Sequence, residues 1–250
     1  MIKFFRKIRQ KLLSENKLSK YLLYAIGEIV LVVIGILIAL WINNLNMSSQ
    51  KKAKGNIMLS EIRENLISDT LLITEISVFY VEKQNAINTF LQVSAEPKPS
   101  MEQYNELGII INDGSLFSNK RFQANNAGYS TLSSSGNIEL ITNIALRNKL
   151  TQYYQQTSQG FAALEELVNL TRSFKYYILP KLINAQTVKQ SIGLDFEIQT
   201  LGEVRLNDDK KMLSDLLILT SYVKENEQAL RLFKKEIIHL LKLIDEELKK

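Results

Sequence analysis

The sequence predicts an all-α protein: one N-terminal transmembrane helix followed by an elongated helical bundle of about four main helices. Three observations predict it. Only 10 Gly and 3 Pro occur in 250 residues, while Leu, Ile, Lys, Glu and Gln abound, which favours helices over a turn-rich β fold. Residues 21–42 form an apolar run with a single charge. Long tracts of the remainder place apolar residues three and four apart, the period of a helix with one buried face. The same composition excludes several chemistries. With no Cys, thiolate metal and redox sites are impossible, and His239 is the only histidine, so the usual metal and His-dependent catalytic sets are excluded too.

The formal charge of +5 belongs to one end of the chain. Residues 1–41 hold seven bases (Lys3, Arg6, Lys7, Arg9, Lys11, Lys17, Lys20) and two acids (Glu15, Glu28), leaving 24 bases and 24 acids in the rest. A neutral body lacks the electrostatic footprint of a nucleic-acid binder. Three segments follow: a basic cytoplasmic tail (1–20), a transmembrane signal anchor (21–42) and an exported helical domain (43–250). As a helix rising about 1.5 Å per residue, the anchor reaches roughly 33 Å, the thickness of a bilayer core. Tyr21, Tyr24 and Trp41 stand at its ends as interfacial anchors, with Asn43 and Asn44 just beyond. No A-x-A cleavage site follows, which argues against a removed signal peptide. Seven bases precede the span and three (Lys51, Lys52, Lys54) follow it, so the N-terminus is expected in the cytoplasm and the body in the periplasm of a bacterial inner membrane.

In the tail, Ile2, Phe5, Ile8 and Leu12 recur at helical spacing between Lys3, Arg6, Lys7, Arg9 and Lys11. This pattern suits either a basic amphipathic segment lying on anionic lipid or a plain topogenic tail. Within the span, Gly27, Gly35 and Ala39 are read as one small-residue face, and Gly35-Ile-Leu-Ile-Ala39 has the small-xxx-small spacing that lets two helices approach closely. Glu28 lies about 10 Å inside the span, where an unpaired carboxylate is costly. It is read as a proton- or cation-linked group at a helix interface or a polar contact with a partner helix, the latter favoured, or else as a carboxyl that stays protonated or reaches back to the interface beside Lys20 and Tyr24.

The run from Phe4 to Asn44 resembles the N-terminal signature of an uncharacterised family of small bacterial single-pass membrane proteins. In that family a basic start leads into a Y-x-x-G-E-I-x-L-x-x-x-G-I-L-I-A-L-x-I-N-N span, here Tyr24 to Asn44. The stretch AGYSTLSSSGNIELI, Ala127 to Ile141, is similar to the family's second recurring segment. The resemblance implies a membrane anchor and a role for Glu28, Asn43 and Asn44, and supplies no reaction. Trp41 departs from the pattern, standing where a polar residue such as Gln is expected.

In the body, Leu59, Ile62, Leu66, Ile73, Ile76, Tyr80, Ile87 and Phe90 predict one long helix over 48–93, with Asp69 and Lys83 interrupting its stripe. Glu96-Pro97-Lys98-Pro99-Ser100 ends it. A short helix near 100–108, a turn at Asn112-Asp113-Gly114-Ser115 and a helix near 121–134 follow, the last stopped by Ser133 to Asn137 with Gly136 as an αL cap. Residues 138–190 read as largely helical (Ile144, Leu150, Tyr153, Tyr154, Phe161, Leu164, Leu167, Leu170, Phe174, Tyr177, Ile178), with a kink or split at Pro180. Residues 193–206 allow a short strand or irregular loop. Asn207-Asp208-Asp209 caps a final helix whose stripe is Leu213, Leu216, Val223, Leu230, Phe233, Ile237, Leu241, Ile244 and Leu248. This helix and the one over 48–93 are expected to pack antiparallel.

The residues point to neither a catalytic nor a metal site, nor to a cofactor. Ser133, Ser134 and Ser135 have no nearby base and read as a loop and cap. His239 reads as a partly buried packing residue, and Glu165, Glu166 and Asp245 to Glu247 as solvated faces. The aromatic residues 153, 154, 161, 174, 176 and 177 read as core. The function expected is that of a membrane-anchored structural or interaction protein of the bacterial envelope. It would be a homo-oligomer or an accessory subunit of another membrane protein, in contact with the lipid bilayer and without nucleic acid. The alternative is a periplasmic module that senses a small molecule and relays to a partner through the span.

Overall fold

In the computed structural model, residues 18–112, 114–158, 162–182 and 206–249 are described. They form six α-helices: α1 (Leu18–Ala95), α2 (Met101–Asn112), α3 (Ala127–Ser134), α4 (Ile144–Ser158), α5 (Ala162–Leu182) and α6 (Lys210–Leu248), with a 3-10 turn at Ile138–Leu140 between α3 and α4. There is no strand among the described residues. The basic tail with Lys3, Arg6, Lys7, Arg9 and Lys11, Phe161 and the 193–205 segment lie outside the described residues. So do the side chains of Tyr21 and Tyr24.

The chain divides into two units, Met1–Asn56 and Ile57–Lys250. In the first, the described residues are helical from Leu18 onward. The large apolar side chains of Leu22 and Leu23 and those from Ile26 to Met47, Trp41 among them, are exposed on all sides of the helix.

The second unit is organised by the stretch of α1 from Leu59 to Phe90. Leu59, Ile62, Leu66, Ile73, Ile76, Tyr80, Ile87 and Phe90 are all buried, as their spacing predicts, and follow a strict alternation of three and four. Asp69 and Lys83 occupy two positions of that same repeat and are buried with it. The two prolines past Ala95 end α1, and α2 opens with a reciprocal cap: the Ser100 amide donates to Gln103 Oε1 (2.8 Å) and the Gln103 amide to Ser100 Oγ (3.3 Å). Asn143 caps α4 through the Leu146 amide (3.1 Å), and Asp209 caps α6 through the Met212 amide (3.0 Å), as the acidic Asn207-Asp208-Asp209 run predicts.

Helices α1 and α6 run antiparallel. Arg63 Nε donates to Asp245 Oδ1 (2.7 Å) and Lys234 Nζ to Thr74 Oγ1 (2.9 Å), so eleven residues forward along one helix match eleven back along the other. Phe90 packs edge-to-face on Phe174 of α5, and Tyr153 of α4 likewise on Phe233 of α6, with ring centroids 5.7 and 6.2 Å apart.

Gly128 and Gly136, both in the Ala127 to Ile141 stretch, have separate structural reasons. A Cβ at Gly128 would meet Asn65 Nδ2, Glu61 Cγ and Ile62 Cγ1 of α1 at 3.1–3.2 Å, so glycine lets α3 lie close against α1. Gly136 has φ +67° and closes α3: its amide donates to Ser133 O (3.2 Å) and that of Asn137 to Leu132 O (3.1 Å), the paired bonds of a Schellman cap.

Several expectations are corrected. The helix near 121–134 begins only at Ala127, because the backbone groups of residues 116–125 are engaged by side chains of α1. The helix near 100–108 extends to Asn112. Pro180 causes no break and sits in the last turn of α5. Ile144, Leu213 and Tyr176 are exposed, Ile144 in the first turn of α4 and Tyr176 on the outer side of α5. His239 is exposed as well, since Ile237 and Leu240 take the inward positions beside it.

Candidate functional site

Two sets of residues stand out. The first lies on the apolar part of α1. Its most apolar 18-residue window, in the stretch from Ala25 onward, has a mean hydropathy of 2.7, and none of that window is buried. Gly27 and Gly35 have nothing within 4 Å of where a Cβ would stand, so neither glycine is required by a neighbour in this chain. At about 100° per residue, Glu28, Gly35 and Ala39 fall within roughly 40° of one line along the helix. Gly27 is turned about 80° from Gly35 and 120° from Ala39, so it belongs to a neighbouring face rather than to theirs. Glu28 is half-buried beside Ala25, Ile29, Val32 and Val33. Asn43 Nδ2 contacts Met47 Sδ (3.6 Å), and Asn44, like Asn43, is exposed.

The second set lies in the other unit, where two charged residues interrupt the stripe. Lys83 Nζ donates to Leu116 O (2.7 Å) and Ser118 O (2.8 Å). Tyr80 OH donates to Lys120 O (3.0 Å). Asp69 Oδ1 accepts from the Asn125 amide (2.8 Å), and Asp69 Oδ2 from Tyr153 OH (2.9 Å). Three side chains from one face of α1 therefore satisfy the backbone of a non-helical strap, residues 114–126, that buried surroundings would otherwise leave unpaired. Burial pulls the Lys83 amine down to about 7. A neutral amine has two N–H donors, as many as the carbonyls it serves. Burial also raises the Asp69 carboxyl, against the lowering effects of the Asn125 amide and the Tyr153 hydroxyl, and pushes the Tyr80 phenol up to about 12. The 14-residue spacing of Asp69 and Lys83 at core positions was a visible signal; what they hold was not.

A third cluster joins α5 to the start of α6. Tyr177 OH donates to Asp209 Oδ1 (2.8 Å), and Lys181 pairs with the same carboxylate. Burial works to raise the Asp209 carboxyl, but Lys181, the Met212 amide and Tyr177 together hold it below the usual range. Asp245 and Glu247, expected on a solvated face, are tied: Asp245 to Arg63, Glu247 to Thr142 Oγ1 (3.0 Å) and Asn143 Nδ2 (3.4 Å). Glu165 and Glu166 are exposed, and Ser134 and Ser135 bond back to carbonyls of their own helix, as a helix end requires. Among the described residues no group of three His, Cys, Asp or Glu could hold a metal ion.

The apolar stretch of α1 from Glu28 and the strap with its three ties fall within one match: residues 28–177 match a family of unknown function, DUF6090. The chain belongs to this family. The match takes in Gly35, Ala39, Asp69, Lys83, Gly128 and Gly136, and stops before α6. Comparison with curated proteins and with solved structures finds no match.

Proposed function

We propose that the chain is a membrane-anchored interaction protein of the bacterial inner membrane, its N-terminus cytoplasmic and its helical body periplasmic. It associates through its transmembrane helix and through the body, as an oligomer or as an accessory subunit of another membrane protein. One observation carries this reading: a helix window of mean hydropathy 2.7 that none of the described residues covers. A helix apolar all round needs an apolar environment, and lipid supplies one. Trp41 at one end, the seven bases before the span and Glu28 on the Gly35–Ala39 side agree with it. The test is alkaline extraction of membranes containing the full chain, with thiol labelling of Asn46→Cys in the naturally Cys-free sequence. The reading expects retention in the bilayer and labelling from the periplasmic side. Release by alkali, or cleavage after the apolar run, would refute it.

A groove of about 840 Å³ on the body favours the second reading, a ligand-sensing module. Glu82, Asn85, Thr89, Ser118 and Lys120 line it beside Phe79. A metabolite panel that shifts the thermal transition of the full chain supports this reading, and an unchanged transition argues against it.

A further inference from the structure

We infer that the outer face shared by α1 and α6 pairs with a second copy of this chain, about a two-fold axis running parallel to the helices. This deepens the self-association reading above and rests on it. Along α1, Leu71, Val78 and Val81 are 69%, 55% and 51% exposed, and Ile238 of α6 is 56% exposed. Arg63–Asp245 and Thr74–Lys234 fix the register and place Ile238 within one residue of the level of Leu71. Isolated exposed apolar side chains are ordinary, but these four share one face across two adjacent helices.

Charge identifies the occupant. The outward side of α1 carries Glu61, Glu64, Glu75 and Glu82; Arg63 binds both Asp245 and Glu64, Lys120 of the strap binds Glu75, and the only other base between residues 57 and 95 is the buried Lys83, so acids outnumber bases on this side. The outward side of α6 carries exposed Lys224, Arg231, Lys235 and Lys242, with Glu227 bonded to Arg231 and Glu246 one turn beyond Lys242. A two-fold axis along the seam lays α1 of one copy over α6 of the other and keeps every residue at its own height. In the register above, Lys242, Lys235 and Lys224 then stand two residues, about 3 Å, from the levels of Glu64, Glu75 and Glu82 of the opposite copy. Three acid–base levels alternate with the apolar ones, so the surface is complementary to itself.

The test uses the full chain in lipid nanodiscs, where the absence of native Cys makes each introduced thiol the only one. Two differently tagged chains, Leu71→Cys and Ile238→Cys, are mixed and oxidised; a disulfide needs Cα atoms within about 7 Å. The expected result is a mixed-tag disulfide dimer, with none when Ile238→Cys is replaced by the exposed control Gln156→Cys. In a second arm, Glu64→Lys with Glu82→Lys weakens the dimer at low salt. Adding Lys224→Glu and Lys242→Glu to the same chain restores pairing with itself, not with the native chain. A mixed-tag dimer equally strong with the control, or failure of the fourfold variant to regain pairing, overturns the inference. Cross-linking through Gly35→Cys without cross-linking at 71 and 238 overturns this face and leaves association through the span standing. Absence of both overturns the two together.

Discussion

Replacing Lys83 by Met removes both strap bonds while leaving an unbranched side chain of similar length. Leu116 O and Ser118 O lose their donor, and leaving such an acceptor unpaired costs about 1–3 kcal/mol each. Relief from burying an amine offsets part of this, so a net loss of about 2–4 kcal/mol is expected, or roughly 5–15 °C in the melting temperature of a body of this size. The pH dependence is the sharper readout. The folded amine releases its proton near 7 and the unfolded one near 10.5. Between those values the unfolded chain binds more protons, so Lys83 makes stability rise with pH, by at most about 1.4 kcal/mol per unit. The difference between native chain and Lys83→Met, measured from pH 6 to pH 9.5, should therefore grow by about 3 kcal/mol. Hydrogen exchange should show faster exchange of the 117–125 amides in the variant at every pH, while the middle of α6 stays protected. A difference independent of pH would mean that the amine is solvated, and unchanged strap protection would mean that it holds nothing; either result refutes the reasoning.

Gly128→Ala forces a Cβ against three side-chain atoms of α1 at 3.1–3.2 Å and should cost about 1–3 kcal/mol in a thermal or urea melt. Gly136→Ala strains a backbone at φ +67° and should cost about 1 kcal/mol, with faster exchange at the end of α3. Asp209→Ala removes the cap of α6 and the partner of Tyr177 and Lys181, at about 1–2 kcal/mol. Because the native carboxyl lies below its unfolded value, the stability it contributes is present above the ordinary carboxylate range. That stability disappears as pH falls through the folded value, and acid melts of the native and Asp209→Ala chains should converge there. In detergent extracts of the full chain, the proposed association predicts that Gly35→Leu or Glu28→Gln reduces co-purification of a partner or a second copy; unchanged assembly in both would remove this face from the interaction.

The helices were legible wherever one physical signal dominated. The α1 stripe from Leu59 to Phe90, the proline stop after Ala95, the Gly136 cap and the Asp209 cap are all set by local chemistry, and each lies where the pattern places it. The strap was not legible. Residues 121–126 have nothing locally against helix, and what holds the strap irregular comes from Asp69, 56 residues before the Asn125 amide it accepts from, and Tyr80, 40 residues before the Lys120 carbonyl it donates to. Asp69 and Lys83 were visible as flaws in a stripe, but a buried charge is meaningful only through the groups it meets. His239 and Tyr176 misled for a related reason: neighbours in sequence took the inward positions. In the apolar stretch of α1, period and composition brought out Gly35, Ala39 and Glu28, while the helix itself separates Gly27 from them.

The measurement that bears most directly on the central claim is the mass of the full chain after gentle detergent extraction, with identification of everything that accompanies it. A defined dimer, larger homo-oligomer or stable hetero-complex is the predicted result, dispersed by Gly35→Leu together with Glu82→Lys. A clean monomer, with nothing bound across mild detergents and in nanodiscs, would contradict the claim that this chain works by associating through its span and body.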